Sequence, residues 1–300
     1  MKSYLTALLF LFVLSAKTEE SIIYKSLTLD SELEKDYRSF NLGAALSQKP
    51  QAESLYFSYG SIGLNTSSSR FETDGVTTVI NNMDFNSGLA VAYDENFELL
   101  VNGGKTVSEE TKFQKRYRNV EITFSKTGDQ NSFPHFSLTG IFGSGDIEQT
   151  ISFKVFNTTF TRTPEIDQSV TGAKIGFNPT DYLKFKLAIK GYVYSRSKED
   201  LQKAYSSIFL NTNSTSLVST IGGLPENSFD TSVNYFINDL YSIEFFYATS
   251  LLIITDNKDQ RIGFTVTRFF ETFSGNLGLS QNKTESQQSI SMLIGAVLDF

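Results

Sequence analysis

Lys154, Lys174, Lys184, Lys186 and Lys190 fall on three consecutive segments in which polar and apolar residues alternate, and each stands on the face opposite the apolar one. Asp230 and Glu244 take the same polar face of the next two segments, and Glu121 that of an earlier one. Ammonium and carboxylate groups gathered on a wetted face attract and sort charged solutes. Opposed basic and acidic walls would set up a transverse field that orders water and discriminates by dipole and charge. The plainer reading is that any wet interior needs charged side chains for solvation and mutual pairing, since a charge run is usually a solvated face. Tyr192 and Tyr194 share the polar face and offer rings on which a ligand can stack, although tyrosine is also common in the walls and girdles of such structures.

Covalent chemistry has little to work with. The one histidine, His135, stands two residues before Ser137 on an alternating segment, so the two point the same way. A nucleophile also needs a third group to orient its base, and no such partner is identifiable. Phe136 and Leu138 take the apolar face, which sends His135 and Ser137 to the polar one. The absence of cysteine removes thiolate nucleophiles, thiolate metal sites and disulfides. Gly103-Gly104-Lys105 lacks the spacing and following helix of a phosphate loop. Asp256-Asn257-Lys258-Asp259 and Gly128-Asp129-Gln130-Asn131 lack the spacing of a calcium loop, and turn formation accounts for both. The expectation is a protein without enzymatic activity, metal or cofactor.

What must position the charged face is a sheet. The last segment places Ile290, Met292, Ile294, Ala296, Leu298 and Phe300 on one side and Ser289, Ser291, Gly295 and Asp299 on the other. Side chains of a strand alternate between faces, so this pattern puts hydrocarbon on one side and water on the other. The same unit recurs as hairpins. Ala173, Ile175 and Phe177 lead through Asn178-Pro179-Thr180-Asp181 to Leu183, Phe185, Leu187 and Ile189. Phe229 to Ile237 leads through Asn238-Asp239 to Tyr241, Ile243, Phe245 and Tyr247. Further strands are expected near 40–47, 55–64, 85–93, 97–103, 118–125, 136–142, 150–160, 261–269 and 273–280, about fourteen in all within a range of twelve to sixteen. Residues 75–82 offer another candidate. Residues 196–228 and 104–115 read as long polar loops, and the larger has the size to fold into a barrel mouth. One inconsistency stands in this scheme. Counting hairpins back from the C-terminus puts the tight turn between Tyr93 and Phe97 at the wrong end, so a strand is missed or a loop misread, with 104–118 the suspect stretch.

The N-terminus indicates where the hydrocarbon is. Lys2, an apolar run from Leu5 to Leu14 and the small Ser15 and Ala16 have the layout of a secretory signal peptide. The run is too short for a membrane helix, and no later stretch approaches about 20 apolar residues. The expected organisation is therefore a signal peptide over 1–16, a charged periplasmic segment or plug over 17–38, and a barrel over 39–300. A net charge of −7 argues against nucleic acid as a partner.

In its signal peptide, alternating strands, Asn-Pro-Thr-Asp and Asn-Asp turns and terminal strand ending in Phe300, the chain resembles Gram-negative outer-membrane β-barrel proteins, the class of porins and uptake channels. The resemblance implies an all-β, antiparallel up-and-down transmembrane barrel in the outer membrane. Its partners would be the lipid bilayer, lipopolysaccharide and small solutes. Leu298 and Phe300 would be read by the outer-membrane assembly machinery, and the oligomeric state would be monomer or homotrimer. It implies passive passage of small solutes, with two alternatives: a non-conducting barrel whose loops bind a surface partner, and a channel for hydrophobic compounds through a lateral opening. The His-x-Ser pair also resembles that of outer-membrane phospholipase A. Leu138-Thr139 stands where that family has Asn-Gly, and the pair faces away from the bilayer.

Overall fold

The computed structural model describes residues 23–48, 53–73, 76–94, 96–108, 112–126, 134–155, 158–163, 165–209, 224–254, 256–284 and 288–299. The strands are β1 (Ile23–Leu33), β2 (Tyr37–Gln48), β3 (Leu55–Thr73), β4 (Val76–Tyr93), β5 (Phe97–Ser108), β6 (Phe113–Lys126), β7 (His135–Gln149), β8 (Ile151–Val155), β9 (Thr158–Arg162), β10 (Glu165–Thr180), β11 (Leu183–Tyr194), β12 (Pro225–Asn238), β13 (Tyr241–Leu252), β14 (Lys258–Phe269), β15 (Phe273–Lys283) and β16 (Gln288–Asp299). Among the described residues one helix, α1 (Lys198–Phe209), lies between β11 and β12. No helix among the described residues is long and apolar enough to cross a membrane.

Fourteen strands close into an antiparallel up-and-down barrel, and β8 pairs with β9 as a separate hairpin off the wall. The seam joins first and last strands: Ser26 pairs with Asp299 and Leu33 with Met292. The start of β1 and the end of β16 therefore share one rim, here the terminal rim, and the opposite one is the loop rim. Fourteen strands spaced about 4.8 Å and tilted about 40° put the backbone on a ring roughly 28 Å across.

The expected strand total is met through two errors that cancel. Ile23–Leu33 is a wall strand, not part of a periplasmic segment or plug, so the barrel begins before residue 39. Leu27, Leu29 and Leu33 supply its outward face, and Asp30 and Glu32 its inward one, a pattern masked by the local density of charge. Conversely, the stretch expected as one strand over 150–160 is split between β8 and β9 and contributes nothing to the wall. Removing it restores hairpin parity, so the misread stretch lay there and not between 104 and 118. The turn between Tyr93 and Phe97 sits on the terminal rim with those near 181, 239 and 271. The supposed loop 104–115 is mostly strand, because β5 continues to Ser108 and β6 starts at Phe113. Residues 76–82 belong to β4.

Alternation decides which face is which. Ile290, Met292, Ile294 and Leu298 are exposed on the outside of β16, while Ser291 between them is fully buried. Phe185, Ile189 and Val193 stand outside on β11, and Leu277 and Leu279 on β15. A barrel with such a surface in water would present an apolar patch far larger than soluble monomers carry, and a bilayer is its natural cover. Tyr93, Tyr182, Tyr235 and Phe270 gather near the terminal rim, as a headgroup-level girdle requires. Arg268 lies over the rings of Tyr241 and Phe270, at 5.6 and 4.7 Å from their centroids.

Local chemistry closes the hairpins. Asn238 Oδ1 accepts from the backbone N–H of both Leu240 and Tyr241 at 2.9 Å, a side chain standing in for a backbone acceptor. The Asn-Pro-Thr-Asp motif works differently: β10 runs on to Thr180 through a register shift after Phe177, and the turn itself is Asp181-Tyr182. Of the glycines on β10 and β11, Gly172 marks a close approach, since a Cβ there would lie 2.5 Å from the Ile189 carbonyl oxygen, while Gly191 has open space.

A charge-lined pore and its mouth

The inward faces of β10 and β11 carry Lys174, Lys184, Lys186 and Lys190, all on even positions, as alternation requires. Lys154 does not join them, because it lies on β8 in the hairpin off the wall. Asp230 and Glu244 face inward from β12 and β13, next to the lysine strands and not opposite them. Glu121 faces inward on β6 and is tied to the lysine side: Lys174 Nζ donates to its Oε2 at 2.6 Å and Asn102 Nδ2 to its Oε1 at 3.3 Å. Asn119 Nδ2 donates in turn to Asn102 Oδ1 at 3.1 Å, so a polar chain spans β5, β6 and β10 across β7.

The acidic groups farther round the ring from the lysines are ones the sequence reading passed over: Asp30 and Glu32 on β1, Asp84 on β4 and Glu98 on β5. Asp84 accepts from Thr106 Oγ1 at 3.1 Å, and Glu98 from Ser58 Oγ at 2.8 Å. Glu32 accepts from Arg261 Nη2 at 2.9 Å. Glu34 accepts from Ser291 Oγ at 3.1 Å where the seam closes. The signal for Asp30 and Glu32 was present in their alternation with Leu27, Leu29 and Leu33.

These pairs run along the wall between strands at most three places apart, so they neutralise charge without bridging the lumen. They also leave charge over. Among the described residues no carboxylate lies within ion-pair distance of Lys184, Lys186 or Lys190. Lys184 instead rests over the Phe236 ring, 4.7 Å from its centroid. In the terminal half of the lumen a cavity of about 1070 Å³ is bounded by Lys174, Lys184, Lys186, Asp230, Phe246 and Arg261. His135 and Ser137 also line it, which places this pair in the lumen with Phe136 and Leu138 outside. A second space of about 430 Å³ lies by Lys190, Tyr192, Asp230 and Asp259.

Tyr194 is committed to structure. Its hydroxyl accepts from Gln168 Nε2 at 2.9 Å and donates to the Pro225 carbonyl at 2.7 Å. It packs against a dry cluster at the loop rim made by Phe113, Ile147, Ile166, Leu201, Leu224 and Ile254. Leu201, fully buried, comes from α1, so the loop expected over 196–228 is in part a helix seated on the inner face of β6, β7 and β10. Ser197 caps that helix, its Oγ accepting from the Asp200 N–H at 3.1 Å. Lys198 pairs with Asp256 on the β13–β14 connection. Leu298, the outward terminal residue, pairs with Phe273 and Leu27; Phe300 and residues 1–16 lie outside the described residues.

No protein-family model matches the chain, and no curated protein matches it. Solved structures do. CymD, a monoaromatic hydrocarbon channel, is 7% identical with a TM-score of 0.50, covering 95% of this chain and 90% of that one. TodX, the toluene transporter of Pseudomonas putida, is 9% identical with a TM-score of 0.48, covering 94% and 89%. KdgM porin in complex with disordered oligogalacturonate is 8% identical with a TM-score of 0.41, covering 92% and 99%. At such identities the likeness speaks for architecture alone, and for CymD, at a TM-score of 0.50, that architecture is a closed membrane β-barrel.

Proposed function

We propose that this protein is an outer-membrane channel for passive passage of small solutes. The observation that carries the reading is the division of the wall: a closed fourteen-stranded ring, apolar outside, whose inward face is polar and charged and bounds a cavity of about 1070 Å³. Rings of about eight strands fill themselves with side chains, whereas this one is wide enough for a water path. Residues 1–16 act as the export signal, the terminal rim faces the periplasm, and Leu298 with Phe300 is read by the assembly machinery. The lumen charges bias selectivity, and no chemical step is needed.

Planar-bilayer recording of purified full-length protein tests it. Stepwise conductance in potassium chloride is expected, and electrically silent protein that is folded by heat-modifiability would overturn it. A second reading, passage of hydrophobic compounds, is favoured by the apolar cluster under α1 at the loop rim. Faster uptake of toluene than of a sugar into vesicles carrying the protein would select it.

A further inference from the structure

We infer that the cavity on the β10–β11 side is a binding site for small dicarboxylates, with Lys184 and Lys186 as its two ammonium groups. The inference deepens the channel reading and rests on the same wet lumen. Two of the cations lining this space are already cancelled: Lys174 by Glu121 and Arg261 by Glu32. Lys184 and Lys186 remain, on one face of one strand, with no carboxylate at ion-pair distance among the described residues, and the unpaired Asp230 lines the same space from the next strand.

Their spacing limits the ligand to a short diacid. Residues two apart on a strand rise by roughly 6.7 Å, wider than the two carboxylates of an extended four-carbon diacid, and the flexible lysine stems converge to meet both. A lysine ammonium is a mobile point charge that follows a carboxylate without demanding a bidentate pose. Ser232, the cross-strand partner of Lys186, and Ser137 add hydroxyl donors on the cavity wall, and Phe246 faces the methylene stem. Asp230, the partner of Ala188, guards the loop-side flank and repels an anion that drifts past Lys186. A single small anion such as inorganic phosphate meets only one ammonium at a time.

Succinate is the probe, titrated calorimetrically into detergent-solubilised full-length protein and added separately to the bilayer chamber. Wild type is expected to bind succinate, more tightly than inorganic phosphate and more weakly as salt rises. K184Q/K186Q is expected to bind about tenfold more weakly, with K184R/K186R retaining affinity and K105Q, on the outer wall, unchanged. Equal affinity in wild type and K184Q/K186Q, no heat of binding in wild type, or phosphate binding as well as succinate would overturn the site. Conductance in potassium chloride that succinate neither blocks nor accompanies with binding sinks the site and leaves the channel. Succinate binding by an electrically silent barrel keeps the site and sinks the channel.

Discussion

Arg261 on β14 reaches across β15 and β16 to Glu32 on β1, with Nη2 2.9 Å from Oε1. The two residues stand 229 positions apart in sequence, so the contact exists only once the ring has closed. Arg261 also donates to Ser280 Oγ at 3.4 Å on the strand between, and so laces three of the four strands at the seam. Both charges are partly wetted, which holds the coupling to about 1 kcal/mol. A double-mutant cycle with Arg261→Gln and Glu32→Gln, read by urea unfolding in vesicles, is expected to return that value. Strict additivity would mean that the pair contributes nothing to closure.

Glu121 leads to a prediction about selectivity. Glu121→Gln removes the carboxylate that neutralises Lys174 while keeping a hydrogen-bond acceptor for Asn102. One more free ammonium on the lysine side should raise the chloride-to-potassium permeability ratio about twofold. The reversal potential across a salt gradient measures it. An unmoved potential would place ion discrimination elsewhere in the lumen.

Much of this fold is legible in the sequence, and the reasons are local. Strands β10 to β16 announce themselves because outward apolar and inward polar residues alternate along most of their length and because turn residues such as Asn238 mark the hairpins. The first strand was hidden: Asp30 and Glu32 look like part of a solvated charged segment until Leu27, Leu29 and Leu33 are read as their opposite face. The β8–β9 hairpin was over-read, since short alternation shows that a segment is extended and says nothing about which sheet it joins. The site was legible to the same depth. Parity alone sends Lys174, Lys184, Lys186 and Lys190 inward. That Glu121 cancels Lys174 and that Arg261 is taken by Glu32 depend on barrel register across several strands, which no local pattern encodes.

The outward and inward faces should respond oppositely to charge. Leu277, mid-strand on β15 and more than half exposed, faces the bilayer, whereas its neighbour Asn276 faces the lumen beside Asp30. Leu277→Arg is expected to cost about 2–4 kcal/mol of folding stability near the midplane. Asn276→Arg, with water and a carboxylate at hand, should cost less than about 1 kcal/mol. Unfolding titrations in phosphocholine vesicles compare the two, and similar costs would contradict the assignment of faces.

The strap on α1 should be insensitive to pH around neutrality. The hydrogen bond that it donates to the Asp256 carboxylate holds the Lys198 ammonium above its ordinary value of 10.5. A raised folded-state value stabilises the contact fully below 10.5 and loses it only as pH climbs past the raised value. Trypsin cleavage within α1 should therefore be constant between about pH 7 and pH 9 on this account. A steep rise in cleavage across that window would show that another group controls the helix.

Leu201 decides whether α1 obstructs the mouth. Its side chain is fully buried against Ile147, Ile166 and Ile254, and it anchors the helix over the inner face of the wall. Leu201→Ala removes that anchor and should cost about 2–4 kcal/mol of local packing. The helix retains its Ser197 cap and its contact with Asp256, so the change should loosen α1 without unfolding the barrel. If the helix narrows the passage, single-channel conductance should rise in the variant and trypsin should gain access to Lys203. Higher cleavage with unchanged conductance would mean that the solute path avoids this side of the mouth and runs along β1 to β5. Unchanged cleavage would mean that residues other than Leu201 hold the helix in place.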